Sequence, residues 1–289
     1  MNTPESIRVL DCAGRRIAFD RPRVMGILNI TPDSFSDGGQ WTNPQAALRH
    51  ALQMVADGAD IIDIGGESTR PGANPVSLQE ELDRVIPLVE RLSGESDVPV
   101  SIDSSKPEVM REAVSKGAGM INDVFALRVD GAIDTAAYLG VPVCLMHMAG
   151  DPGTMQVKPV YNDVVKEVGD FLLSRAMACQ DAGIAASQIV LDPGFGFGKS
   201  LEHNLELLRG MCELVDLGFP VLAGLSRKAM LGAITGRDPG DRVAASVAAA
   251  ILAVQGGAAM VRVHDVAETV DALKVLTALE SGWERVGRG

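Results

Sequence analysis

Aromatic side chains are scarce, at 4% of a 289-residue chain whose hydrophobic content is 46%. A core of stacked rings is thereby excluded, and the interior must be assembled from Val, Ile, Leu, Ala and Met. Positive charge is also short: 26 Lys and Arg against 38 Asp and Glu leave a net charge of −12. Such a surface repels phosphate backbones and anionic lipid, so neither nucleic acid nor a membrane is expected as a partner. An anionic substrate must then be met by a few locally placed cations. The cysteines Cys12, Cys144, Cys179 and Cys212 are widely spaced with no CxxC pair, which excludes a disulfide framework and reads as reduced thiols in a cytoplasmic protein. No two histidines have metal-site spacing, which argues against zinc. Long apolar runs are missing too. The longest, Val243 to Val254, is Ala-rich, contains Ser246 and stops at Gln255-Gly256-Gly257, so it is too short to span a bilayer and predicts a buried helix. Met1 to Leu10 has no basic region followed by a long apolar stretch and does not read as a signal peptide.

What the chain does have is a repeat. Eight short apolar runs end in polar or ionisable residues, with helical spacing between them. They are Val24 to Leu28 ending at Asn29, Ile61 to Ile64 ending at Gly65-Gly66-Glu67, Val98 to Ile102 ending at Asp103, and Met120-Ile121 ending at Asn122-Asp123. Val141 to Met146 follows, ending at His147, then Ile189 to Leu191 ending at Asp192, Pro220 to Leu225 ending at Ser226-Arg227-Lys228, and Met260 to Val263 carrying Arg262 and ending at His264-Asp265. Strands alternating with helices predict βαβ units and a parallel sheet. Eight units in this length predict a (β/α)8 TIM barrel, whose site lies at the carboxyl ends of the strands. Gly and Pro mark element ends rather than a linker, so a single domain over 1–289 is expected. Within it, residues 1–20 stand outside the repeat, where Ile7 to Leu10, Gly14 and Ile17 to Phe19 predict a β-hairpin covering the barrel bottom.

The strand ends differ in chemistry. Asn29 could ligate a hard cation through its amide oxygen, and the loop from Thr31 to Gly39 after it carries Phe35 between polar residues and glycines. Glu67-Ser68-Thr69-Arg70-Pro71-Gly72 opens a second loop whose Arg could grip phosphate oxygens, or else pair at the surface with Glu80 or Glu81. Asp103, Asn122 and Asp192 offer acceptors and an amide with both donor and acceptor, a set suited to the edge of a heterocycle bearing amino and ring N–H groups. Each Asp alone could instead cap the next helix, as Ser104 or Ser105 could. His147 reads equally as a ligand group or as a hydrogen-bonded structural residue. His50 and His203 fall on predicted helices and look like surface residues.

Asp192 to Ser200 resembles a phosphate loop only superficially, because Pro193 occupies the position that needs the first glycine. Its glycines would instead let backbone approach a flat ligand, with Phe195 or Phe197 packing nearby. Lys228 could donate to a carbonyl, clamp phosphate or act as a Schiff-base nucleophile. Arg262 and His264 alternate on the eighth strand and share one side of it, beside the seventh, where barrels frequently bind phosphate. No Ser–His–Asp or Cys–His unit is readable. The residues therefore propose a wall for a heterocycle and a cationic rim for pyrophosphate or phosphate. A dissociative displacement fits that arrangement, with Arg and Mg²⁺ stabilising the departing oxygens and a carboxylate stabilising the developing cation.

The stretches Ile27 to Gly39, Asp63 to Gly72, Asp192 to Lys199, Ser226-Arg227-Lys228 and Arg262 to Asp265 resemble the signatures of the bacterial dihydropteroate synthase family, from about Val24 to the final helix. That resemblance implies condensation of 6-hydroxymethyl-7,8-dihydropterin pyrophosphate with 4-aminobenzoate, giving 7,8-dihydropteroate and pyrophosphate in folate biosynthesis. It implies that Asp103, Asn122, Asp192 and Lys228, with Met146, Phe197 and Gly224, hold the pterin. Asn29 would ligate Mg²⁺, while Asn29, Arg70, Arg262 and His264 would hold pyrophosphate. Phe35, Thr69, Pro71 and Ser226 would form the aminobenzoate pocket. Asp103, Lys228 and Arg262 would be the catalytic set. Sulfonamide competition and a homodimer are further expectations from the family. Rival readings are a methyltetrahydrofolate-binding methyltransferase barrel, a Schiff-base lyase using Lys228, and a non-catalytic pterin-binding paralogue.

Overall fold

A computed structural model describes residues 8–30, 44–68, 75–150 and 159–281. Phe35, Thr69, Arg70 and Pro71 lie outside those residues. An antiparallel hairpin comes first, β1 (Val9–Cys12) and β2 (Arg15–Ala18), with Cys12 opposite Arg15. Its two-residue turn places Ala13 at φ 54° and Gly14 at φ 88°. Two positive φ values match the twist of the flanking strands, and Asp11 Oδ1 accepts from Gly14 N at 2.6 Å.

Eight parallel strands follow: β3 (Arg23–Asn29), β4 (Ile61–Gly65), β5 (Val100–Asp103), β6 (Met120–Asp123), β7 (Val143–Met146), β8 (Ile189–Asp192), β9 (Leu222–Ala223) and β10 (Met260–Val263). Their order is β8-β7-β6-β5-β4-β3-β10-β9. A parallel bridge between Leu191 and Val221 joins the two ends, so the sheet is the expected (β/α)8 barrel. Strands β5, β7 and β9 start two residues later than their apolar runs, because Pro99, Pro142 and Pro220 lack the N–H that the ladder needs.

Helices wrap the outside: α1 (Pro44–Ala56), α2 (Leu78–Glu95), α3 (Pro107–Ser115), α4 (Ala132–Leu139), α5 (Val164–Asp181), α6 (Leu201–Arg209), α7 (Met211–Val215), α8 (Ala229–Thr235), α9 (Val243–Gln255) and α10 (Val266–Ser281). Two expectations need correction. Helix α9 is buried on one face only, through Ser246, Ala249, Ala250 and Ala253, while Leu252 is 54% exposed; a helix in the outer ring has the sheet on one side alone. His203 is not a plain surface residue, since it shares a capping box with Ser200 at the start of α6, and His50 on α1 is half-buried.

The barrel interior is layered. Met25, Ile61, Met120, Cys144, Val190, Leu222 and Met260 form the lower layer, and Leu10, Cys12 and Ile17 of the hairpin pack against it. The seat is tight: a Cβ on Gly119 would lie 2.5 Å from the Cys12 carbonyl oxygen. Above that apolar floor the strands turn Asp63, Asp103, Asn122 and Arg262 toward one another.

Candidate active site

Strand register sets the first group. Asn29 pairs with Gly65, Gly65 with Asp103, and Asp103 with Asn122, so four strand ends lie at one level. Gly65 leaves open the space between its neighbours. A Cβ there would sit 3.5 Å from Asn29 Oδ1 and 3.5 Å from Asp103 Oδ2, so two hard oxygens face one small vacant corner.

One layer deeper lies Asp63, fully buried on β4. The apolar-run reading passed over it, because it stands inside a run of isoleucines rather than at the end. The available signal was a carboxylate two positions before Gly65, and hence on the same side of the strand. Its Oδ2 accepts from Arg262 Nε at 2.7 Å and from Asn122 Nδ2 at 3.0 Å. Arg262 Nη2 donates to Asp103 Oδ2 at 2.8 Å. One guanidinium thus spans two carboxylates, and Asn29, Asp103, Asn122 and Arg262 are brought together as expected. Burial pushes the Asp103 carboxyl up to about 7; Arg262 opposes that shift, and Asp63, Asp123 and Glu81 add to it. Burial disfavours the charged Arg262, but Asp63 and Asp103 outweigh it and hold the guanidinium protonated.

The second group faces it from β7, β8 and the turn after β9. Asp192 Oδ1 accepts from Gly194 N at 2.7 Å, and burial raises its pKa. Gly224 is the open neighbour of its other oxygen, since a Cβ there would lie 3.9 Å from Oδ2. Lys228 Nζ stands 4.0 Å above the Phe197 ring, a cation–π contact that leaves its N–H groups available. Burial lowers its pKa to about 8. Val124, Met146 and Met148 form an apolar cluster against which Phe125 and Phe197 pack. Asp192 thus brings acceptors, Lys228 a donor and the Met146–Phe197 cluster an apolar face to the same end of the barrel.

Ser226 and His264 form the third group. Ser226 Oγ accepts from His264 N at 3.2 Å and lies 3.0 Å from His264 Nδ1. The hydroxyl has a second lone pair and a proton of its own, so the Nδ1 contact is satisfied in either tautomer of the ring. Burial, with Arg227 and Arg262 nearby, depresses His264 to about 3, so the ring is neutral at ordinary pH. Arg227 adopts φ 57° and points away from the mouth, pairing with Asp265 at 2.5 Å.

Several alternatives resolve differently. His147 is structural: Lys199 Nζ lies 2.9 Å from its Nδ1 and also donates to the Gly194 and Phe197 carbonyls. Lys199 therefore ties the 194–198 loop down from beneath. Asp123 accepts from Ser105 Oγ and from the Phe125 and Leu127 amides, so it builds a turn. Helix α3 is capped at Lys106 without a side-chain bond, so the capping role considered for Asp103 is not realised there. Glu80 and Glu81, the alternative partners for Arg70, meet Arg84 and Lys106.

Among the described residues, no cluster of three or more His, Cys, Asp or Glu could hold a metal. The corner between Asn29 and Asp103 suits a different arrangement, a hard cation that takes one amide oxygen and completes its shell with water and ligand phosphates, as Mg²⁺ does.

A parallel barrel that gathers carboxylates, an amide and a guanidinium at the carboxyl ends of β5, β6, β8 and β10 has the arrangement of a TIM-barrel enzyme. The chain belongs to the pterin binding enzyme family, whose model matches residues 25–264. It is 49% identical to the dihydropteroate synthase of Escherichia coli (strain K12) over 271 residues, covering 94% of this chain and 96% of that one. The Haemophilus influenzae dihydropteroate synthase is 52% identical, over 89% of this chain and 94% of that one. The Xanthomonas albilineans dihydropteroate synthase solved with 4-aminobenzoic acid superposes with a TM-score of 0.90 at 57% identity, covering 96% and 99% of the two chains. The same enzyme in complex with 7,8-dihydropteroate gives 0.87 at 55%, covering 94% and 99%.

Proposed function

We propose that this chain condenses 6-hydroxymethyl-7,8-dihydropterin pyrophosphate with 4-aminobenzoate, releasing pyrophosphate and 7,8-dihydropteroate. The observation that carries the reading is Arg262, held between Asp63 and Asp103. It puts a cation of the anion rim in contact with a carboxylate of the pterin wall, at the point where a bond between the two halves of such a substrate would break.

In this reading Asp192, Asn122 and Lys228 orient the pterin over Met146, with Gly224 and Phe197 bounding the slot. As the bond to pyrophosphate lengthens, Arg262 and, in its Nε2–H tautomer, His264 take up negative charge on the departing oxygens. Asp103, ionised, stabilises the positive charge growing on the pterin methylene. Asn29 would hold Mg²⁺ together with the pyrophosphate, and the metal when bound supplies further neutralisation of those oxygens. Arg70 would add a second guanidinium to the rim, and Phe35, Thr69, Pro71 and Ser226 would seat the aminobenzoate whose amine attacks the methylene.

Solved relatives support the substrate assignment. A Yersinia pestis dihydropteroate synthase solved as a sulfonamide drug complex shares 49% identity and a TM-score of 0.90, covering 96% of this chain and 99% of that one. We extend sulfonamide competition to this chain on that likeness. The whole chain would act as one pterin-binding unit. A homodimer is supported by the apolar residues left exposed on α9 and α10, Leu252, Val275 and Leu279. A cytoplasmic setting would keep its four cysteines reduced.

The deciding experiment mixes the protein with the pterin pyrophosphate, 4-aminobenzoate and Mg²⁺ and follows pyrophosphate. Release dependent on all three supports the synthase. No release from well-folded protein that still binds the pterin would overturn it in favour of a non-catalytic pterin-binding protein.

A further inference from the structure

Asp63 touches no substrate in the chemistry just described, yet it is a fully buried carboxylate. It stands third in Ile-Ile-Asp-Ile-Gly with no solvent exposure, where an uncompensated carboxylate would be strongly destabilising. All of its described side-chain bonding goes through one oxygen. Oδ2 accepts from Arg262 and Asn122 at 2.7 and 3.0 Å, while Oδ1 has no partner. The Ser101 hydroxyl, its register neighbour on β5, has none either. Since Asp63 lies a layer beneath Gly65, it acts on a ligand only through the side chains above it.

Building on the functional reading above, we propose that Asp63 is a positioning residue that sets ligand specificity, locking the guanidinium of the anion rim and the amide of the pterin wall into one rigid unit. Two consequences follow from donor and acceptor counting. Arg262 spends Nε on Asp63 and one Nη2 proton on Asp103, so three N–H groups are not taken up by these two carboxylates and can serve an anion. Asn122 spends one N–H on Asp63, which leaves its second N–H and its oxygen as an adjacent donor–acceptor pair. Flipping that amide would turn its oxygen onto the Asp63 oxygen, two acceptors in contact. The order of donor and acceptor shown to the heterocycle is therefore imposed from below, and a ring edge with the opposite order is refused.

The test uses the full chain, four single substitutions and two double variants. Binding of inorganic pyrophosphate with Mg²⁺ reads Arg262, and binding of 6-hydroxymethyl-7,8-dihydropterin reads Asn122, both by calorimetry. Asp63→Ala should weaken each by about ten- to a hundredfold, the range for losing a hydrogen bond to a charged group, while the KM for 4-aminobenzoate stays within about twofold. In an Arg262→Lys background Asp63→Ala should cost no further pyrophosphate affinity, and in an Asn122→Ala background no further pterin affinity. Losses that multiply in either background, or a change confined to the unfolding midpoint, would overturn the proposal. Asp63→Leu, which fills the volume without an acceptor, carries the same expectations if the alanine variant does not fold. The native protein supplies an independent arm by NMR: the Arg262 Nε–H and the Asn122 amide proton bonded to Asp63 should exchange slowly with solvent without ligand. Rapid exchange of the Arg262 Nε–H would contradict the locked unit. Wild-type turnover is scored separately, so absent pyrophosphate release sinks the synthase reading while the two binding measurements still judge Asp63.

Discussion

Arg262 Nη2 donates to Asp103 Oδ2 at 2.8 Å, joining side chains 159 positions apart. Because the same guanidinium also neutralises buried Asp63, Arg262 carries two duties. Arg262→Ala should lower catalytic efficiency by about ten- to a hundredfold, the value of one charge-assisted contact. It should also cost stability, about 3–5 kcal/mol for breaking a buried pair. Arg262→Lys keeps the charge and loses the fork, so its efficiency should fall while its unfolding midpoint stays near that of the wild type. Urea titrations beside steady-state kinetics check both; equal midpoints for the two variants would remove the structural duty.

Asp103→Asn preserves shape and can still accept from Arg262, but it removes the charge placed beside the developing cation. Turnover should fall more than pterin affinity does. Direct pterin binding measured beside kcat decides it, and equal losses would reduce Asp103 to a binding residue.

Two titrations bracket activity. Burial raises Asp103 to about 7 and lowers Lys228 to about 8. Asp103 must be ionised and Lys228 protonated, so kcat/KM should fall below the first value and above the second, giving a narrow bell. Lys228→Met should abolish the alkaline limb at reduced rate. An unchanged alkaline limb in that variant would assign the limb to another group.

Gly194 sits at φ 67°, and a Cβ there would lie 1.9 Å from the His147 carbonyl oxygen. Gly194→Ala should therefore destabilise by more than about 2 kcal/mol, from strain and backbone clash together, and should weaken pterin binding as the loop carrying Phe197 shifts. Gly240→Ala meets nothing within 4 Å and should stay within about 0.5 kcal/mol of wild type. Thermal melts of the two variants give the comparison.

Strand ends were legible because β-strand alternation and the barrel rule convert position in the chain into position in space. Asn29, Asp103, Asn122, Asp192 and Lys228 were all singled out that way. Asp63 escaped because a run was read by its last residue, whereas inward-facing positions recur every second residue below that end. His147 could not be decided from the chain alone, since its partner Lys199 comes 52 positions later, after another helix. The exposed side of α9 was missed for a related reason: Ala-rich composition does not reveal which face meets the sheet.

The hairpin seated under Met120 and Met260 has a kinetic meaning. With Leu10, Cys12 and Ile17 packed beneath an already filled lower layer, the polar mouth has solid core under it and is approached from the carboxyl ends of the strands. A ligand resting deepest in that mouth is therefore expected to enter before one seated above it and to leave after it.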